Sequence, residues 1–121
     1  NLHDMLKEVD ILTIHVPLTD KTRGLIGERE IYMMKRGSII VNTARGGIID
    51  EKALLKALKE GHIAGAALDV YEVEPPVNYE LIKLPNVICT PHIGGQTIEA
   101  QKMASEELAL KIIELFKGGG V

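Results

Sequence analysis

Four short runs of apolar, often β-branched residues recur along the chain, and each stops at a proline or at a polar, glycine-containing loop. Residues 10–16 (Asp10-Ile11-Leu12-Thr13-Ile14-His15-Val16) end at Pro17. Residues 38–42 (Ser38-Ile39-Ile40-Val41-Asn42) run into Thr43-Ala44-Arg45-Gly46-Gly47. Residues 64–70 lead into a Pro- and Glu-rich stretch, and residues 86–90 end at Pro91. Runs of this length, bounded by such breakers, read as buried strands. Between them lie segments of helical composition. Residues 28–35 form one, and residues 51–60 another, with Asp50 as its cap, Ala53, Leu54, Ala57 and Leu58 on one face, and Gly61 after its end. A short turn is expected over 79–83. A last helix is expected from a Thr97 cap to Phe116, with Met103, Leu108, Ile112, Leu115 and Phe116 facing inward and Gly118-Gly119-Gly120 ending it. Strands joined through helices pair in parallel, and strands that do not alternate polar with apolar are covered on both faces. The expected fold class is therefore α/β, a four-stranded parallel sheet with helices on both faces.

The 121 residues fit one small domain, and the single cysteine excludes an internal disulfide. A reducing, cytoplasmic location is the expectation that follows. A net charge of -3, with one Phe, three Tyr and no Trp, argues against a nucleic-acid surface, which needs cations and stacking rings. No apolar run approaches the roughly 20 residues of a membrane span, and no basic-then-apolar leader opens the sequence, so no membrane association is expected. Metal binding is not expected either, since no CxxC, HxxxH or HExxH spacing occurs.

In open parallel sheets ligands bind beyond the carboxyl ends of the strands, and the unusual residues of this chain collect there. Arg45 lies between a strand end and two glycines, where a guanidinium can fork onto a carboxylate. His92 lies between Pro91 and Gly94-Gly95, and an imidazole exchanges protons near neutral pH. Glu74, next to Pro75-Pro76, is the candidate to orient that ring, and the two would make a proton relay. Asp69 ends a buried strand and must find donors or a cation, as a loop cap or as part of a site. Cys89 reads as a core thiol, and His3 and His62 as structural residues. A carboxylate-binding Arg beside a His/Glu pair suits a small 2-hydroxy or 2-oxo acid.

Several motifs also carry a resemblance. His15-Val16-Pro17-Leu18-Thr19, Asn42-Thr43-Ala44-Arg45-Gly46-Gly47-Ile48-Ile49-Asp50, Gly65 to Pro75 with its Asp69-Val70-Tyr71-Glu72-Val73-Glu74 core, and Thr90-Pro91-His92-Ile93-Gly94-Gly95-Gln96-Thr97 resemble the D-isomer-specific 2-hydroxyacid dehydrogenases, above all their D-3-phosphoglycerate branch. The resemblance implies hydride transfer between NAD(H) and a D-2-hydroxy acid of the 3-phosphoglycerate or hydroxypyruvate/glyoxylate type. It implies Arg45, Glu74 and His92 as catalytic residues, and Val16, Thr43, Ala44, Arg45, Asp69, His92, Gly94 and Gly95 as cofactor contacts. The Gly-x-Gly-x-x-Gly turn that grips a pyrophosphate does not occur in this sequence. Residues 1–121 therefore match the C-terminal half of a Rossmann-like dinucleotide-binding domain, with the Gly-rich half and the substrate domain absent from them. Two other readings stay open, a non-enzymatic NAD-binding relative of the co-repressor type and an inert fragment. A homodimer is the expected assembly, through a sheet edge that lacks its neighbour.

Overall fold

The computed structural model describes residues 1–117. Its elements run α1 (Leu2–Glu8), β1 (Ile11–Ile14), α2 (Glu28–Met33), β2 (Ser38–Asn42), α3 (Glu51–Lys59), β3 (Ile63–Leu68), α4 (Tyr79–Ile82), β4 (Val87–Cys89) and α5 (Ile98–Lys117). The four strands make one sheet in the order β1-β2-β3-β4, and every pair is parallel. Leu12 stands beside Ile40, Ile40 beside Ala66, and Ala66 beside Val87, so a single row crosses the sheet.

The strands and α2 to α5 fall in the expected segments, but β1 ends at Ile14 and β3 at Leu68, so His15, Val16, Asp69 and Val70 lie in the loops beyond the strands. The sequence reading has no element before Asp10, where the structure has α1. Its signals are the Asn1 cap, which accepts the Asp4 N–H, and Leu6, which is fully buried. Seven residues are too few to hold a helix alone, so α1 exists because Leu6 docks into the core. The Asp50 cap is realised, its carboxylate accepting the N–H groups of Lys52 and Ala53. The Thr97 cap is realised too, its hydroxyl accepting the Ala100 N–H at 3.1 Å.

One face of the sheet carries the core. Leu12, Ile14, Ile40, Ala66 and Leu68 are buried there against Leu6, Ile31, Leu54, Leu58 and Leu81 of α1 to α4. The opposite face presents Ile11, Ile39 and Ile88, which are 60%, 39% and 71% exposed. Among the described residues, then, helices cover one face only, although the strands are apolar on both. The apolar positions of α5 depart from expectation in the same way. Met103, Leu108, Ile112, Leu115 and Phe116 were expected inward and are all exposed, and α5 buries no residue. Amphipathic spacing marks a face able to be buried, but burial needs a partner surface, and no described residue covers this one. The expected Gly118-Gly119-Gly120 stop lies outside the described residues.

Because the strands are parallel, their carboxyl ends share one edge, and the loops after β1, β2, β3 and β4 meet there. The opposite edge carries tight turns at Gly37 and Gly61, whose φ values of 88° and 68° favour glycine.

Leu54 and Ser38 test the core from opposite sides. Leu54 is fully buried, and Leu54→Ala should cost about 2–5 kcal/mol in urea denaturation. The buried Ser38 hydroxyl has no hydrogen-bond partner among the described residues. Ser38→Ala should therefore be neutral or stabilising, and a loss above about 1 kcal/mol would show that the hydroxyl is satisfied after all.

Candidate active site

The loop after β4 is built around one carboxylate. Asp69 follows β3 directly and is buried. Its Oδ1 accepts the Thr90 hydroxyl at 2.6 Å and the Ile93 N–H at 2.8 Å, and its Oδ2 accepts the Gly94 N–H at 2.9 Å. These bonds draw residues 90–94 into a turn in which His92 takes a φ of 58°, the left-handed region that a side chain disfavours. Such a residue costs of order 1–3 kcal/mol, which three hydrogen bonds to a charged acceptor can offset. Gly94 permits the close approach, since a Cβ there would stand 3.0 Å from Asp69 Oδ2. Burial alone would raise the Asp69 pKa. The Thr90, Ile93 and Gly94 donors, with His92 nearby, outweigh it and hold the carboxyl below its ordinary value.

Strand β3 also leads to the other half of the pair. Glu74 Oε2 lies 2.7 Å from His92 Nδ1, and Glu74 Oε1 accepts the Tyr71 N–H at 3.2 Å. An ionised carboxylate has no hydrogen to give, so Nδ1 carries the proton and Nε2 is left free to accept or donate one. The His92 bond is the chief reason that Glu74 titrates below its ordinary value. The Tyr71 hydroxyl sits 3.1 Å from the Leu68 carbonyl and 2.8 Å from that of Thr90, tying β3 to the histidine loop. Tyr71, Pro75, Pro76 and Pro91 wall a small, mostly apolar cavity beside the pair, of about 230 Å³.

Arg45 lies in the loop after β2. Buried Asn42 shapes that loop, its side chain accepting the Ala44 N–H and donating to the Arg45 carbonyl, each at 3.0 Å. Val16, Pro17, Thr43, Ala44 and Arg45 line an open cleft of about 550 Å³ together with His15. The Arg45 guanidinium donates to the Ala44 carbonyl at 2.7 Å and is otherwise exposed. His15 bonds the Thr13 hydroxyl at 2.8 Å. At Gly46 any Cβ would fall inside the Tyr71 carbonyl, so the Arg45 loop and the Glu74 loop touch backbone to backbone.

The structure thus brings Glu74, His92, Asp69 and Gly94 into one bonded cluster, and Val16, Thr43, Ala44 and Arg45 into one cleft. Gly95 faces open space, with no atom within 4 Å of where a Cβ would lie. His3 and His62 behave as structural residues, bonding Glu30 at 2.9 Å and the Ile31 carbonyl at 3.2 Å. Cys89 is half-buried in β4. No group of three or more potential metal ligands occurs among the described residues, and none of their helices is long and apolar enough to cross a membrane. The sequence reading missed Thr90 and Asn42 as supports. A polar residue closing an apolar strand was the available signal in both cases.

The sign of the carboxyl shifts sets a pH dependence. Both Asp69 and Glu74 have folded values below their unfolded ones, so their stabilising contributions are complete above the ordinary carboxylate range and are lost as pH falls through the folded values. Stability should decline on acidification below about pH 4, and Asp69→Asn and Glu74→Gln should each flatten that decline in denaturant titrations repeated across pH. An unchanged slope in both variants would refute the assignment.

Comparison with known proteins bears on the family and the fold. The family described as "D-isomer specific 2-hydroxyacid dehydrogenase, NAD binding domain" matches residues 1–94. The chain is 53% identical over 118 residues to a D-3-phosphoglycerate dehydrogenase of Methanocaldococcus jannaschii, covering 98% of this chain and 22% of that protein. It is 52% identical over 114 residues to a glyoxylate reductase of Thermococcus litoralis, covering 94% of this chain and 34% of that protein. The fold superposes on the crystal structure of a glyoxylate reductase from Paecilomyes thermophila with a TM-score of 0.91 and 41% identity, covering 98% of this chain and 36% of that one. The chain spans between about a fifth and a little over a third of these relatives. With its motifs, its fold and its matched residues in agreement, the chain belongs to the D-isomer-specific 2-hydroxyacid dehydrogenase family, in the region of its NAD-binding domain.

Proposed function

We propose that this chain supplies the proton relay and the substrate-carboxylate anchor of an oxidoreductase acting on a D-2-hydroxy acid of the 3-phosphoglycerate or hydroxypyruvate/glyoxylate type. The observation that carries the reading is the 2.7 Å bond between Glu74 Oε2 and His92 Nδ1, which leaves Nε2 open. In the oxidative direction Nε2 takes the proton of the substrate hydroxyl, and in the reductive direction it returns one to the carbonyl oxygen. Glu74 fixes the ring and its tautomer. Arg45 turns from the Ala44 carbonyl to hold the substrate carboxylate with two parallel bonds.

When bound, NAD(H) supplies the hydride chemistry. The residues present fit one end of such a cofactor. Val16, Thr43 and Ala44 line an open cleft, and Gly95 leaves the space where a Cβ would stand. Asp69, with Oδ2 accepting one bond, keeps capacity for a further donor such as a carboxamide. Residues 1–121 form, on this reading, the C-terminal half of a dinucleotide-binding domain. The pyrophosphate turn and the substrate domain belong to other parts of the enzyme, and the chain by itself is inactive.

A second copy is the partner we assign to the uncovered apolar surface. The sheet edge that lacks its neighbour is the expected contact, and the exposed Ile11, Ile39 and Ile88 of the sheet face and the apolar residues of α5 support association. Light scattering of the chain should show a dimer whose fraction grows with concentration, and a monomeric mass throughout would refute the assignment.

The activity is tested by NADH oxidation with hydroxypyruvate or glyoxylate, using the full-length protein. Turnover is expected, and His92→Ala should lower it by about 10²- to 10⁴-fold, the usual worth of a positioned acid–base group. Turnover near normal in that variant would remove His92 from the mechanism. NADH binding without turnover of any 2-oxo acid would favour a binding protein of the co-repressor type.

A further inference from the structure

Two glutamates that the proposed chemistry does not use lie between its two halves. The N–H of Glu51, the first residue of α3, donates to Glu72 Oε1 at 2.9 Å. The N–H of Glu72 donates to Glu51 Oε1 at 2.6 Å. Each side chain thus caps the other residue's backbone, closing a ring between segments 21 residues apart. The first ring bond also satisfies one of the N–H groups that a helix start leaves free. Glu51 is buried, and bringing a second carboxylate beside it is unfavourable. Burial first, and the Glu72 charge besides, push its pKa up. Each carboxylate is offset by one backbone N–H donor of the other residue.

The position of the ring gives it a role. Glu51 follows the loop that carries Arg45 and Gly46, and Glu72 lies two residues before Glu74. Gly46 already rests on the Tyr71–Glu72 peptide, so the same two loops are joined at a second point close by. From Glu72 the chain reaches Glu74, and through Glu74 the His92 ring. Two ties thus join the Arg45 loop to the Glu74 segment, the Gly46 contact and the Glu51–Glu72 ring.

We propose that Glu51 and Glu72 are positioning residues, a reciprocal clamp that fixes the spacing between Arg45 and His92. The inference rests on the functional reading above. A substrate held by its carboxylate at Arg45 presents its C2 oxygen to His92 only if that spacing is kept, and a shift of about 1 Å in such a pair can cost on the order of 100-fold in rate. What the clamp requires is an acceptor at each position, and a neutral amide oxygen supplies one as well as a carboxylate does.

The experiment compares Glu51→Ala, Glu51→Gln, Glu72→Ala and Glu72→Gln in the full-length protein, with NADH and glyoxylate or hydroxypyruvate. The alanine variants should raise KM for the 2-oxo acid and lower kcat, for a combined loss of about tenfold or more, while KM for NADH stays within about twofold. The glutamine variants should remain near normal. The double alanine variant should be little worse than the worse single one, because either change opens the same ring. Unchanged kinetics in the alanine variants, glutamine as damaging as alanine, or an equal rise in KM for NADH would each overturn the clamp. Should the alanine variants fail to fold, Glu51→Asp and Glu72→Asp, one methylene too short to reach the partner N–H, take their place, with a raised KM for the 2-oxo acid supporting the clamp and unchanged kinetics refuting it. Hydrogen exchange separates this result from a failure of the functional reading. If the unaltered protein turns over no 2-oxo acid, that reading falls. The clamp is then judged by whether Glu51→Gln keeps, and Glu51→Ala loses, the protection of the Glu72 amide together with that of residues 92–94.

Discussion

The bonds to the Asp69 carboxylate are the constraint on which the site depends. A charge just beyond the end of a buried strand must be compensated, and here the compensation comes from the next loop: one hydroxyl and two backbone N–H groups of residues 90–94. That loop therefore cannot relax into the conformation its own residues prefer. His92 stays in the left-handed region because leaving it would strip a buried carboxylate of its donors. In this way desolvation at one strand end orients a side chain on another strand's loop, and the ring then meets Glu74 at 2.7 Å.

The same logic extends across the edge. Asn42 closes β2 and folds the following turn around its own amide, which aims the segment holding Arg45. Tyr71 ties β3 to the histidine loop through carbonyls on both sides. Gly46 lets two loops meet without a side chain between them. Asn42 and Tyr71 act by satisfying polar groups and Gly46 by close backbone contact, and each restricts a loop that would otherwise be free. Rigidity at the edge is thus a by-product of hydrogen-bond satisfaction in a parallel sheet.

Much of this was legible in the residues alone. Strands that stop short of Pro17 and Pro91, and helices capped by Asp50 and Thr97, declare themselves because breakers and caps act locally. The gathering of Arg45, Glu74 and His92 at one edge followed from the parallel order of the strands. What was not legible depends on partners distant in sequence. Helix α1 is too short to show its own periodicity and forms because Leu6 is buried. The stripe along α5 is amphipathic, yet its residues are exposed, since spacing encodes the ability to be buried and not the presence of a cover. The glycine pair after His92 marks a turn, but the positive φ falls on the histidine and not on a glycine, because Asp69 sets the loop from outside it. The Glu51–Glu72 ring has no local signature at all, since each residue alone reads as a solvated acid.

The turns at Gly37 and Gly61 lie on the edge away from all of these groups, and they join elements that are already packed against each other through the core. The sheet consequently divides labour along its strands, with one end holding reactive groups in strained, cross-tied loops and the other merely reversing the chain. A break or an inserted peptide at the quiet end would leave the polar network intact. The chain reversals at that end are therefore incidental to the arrangement of Arg45, Glu74 and His92.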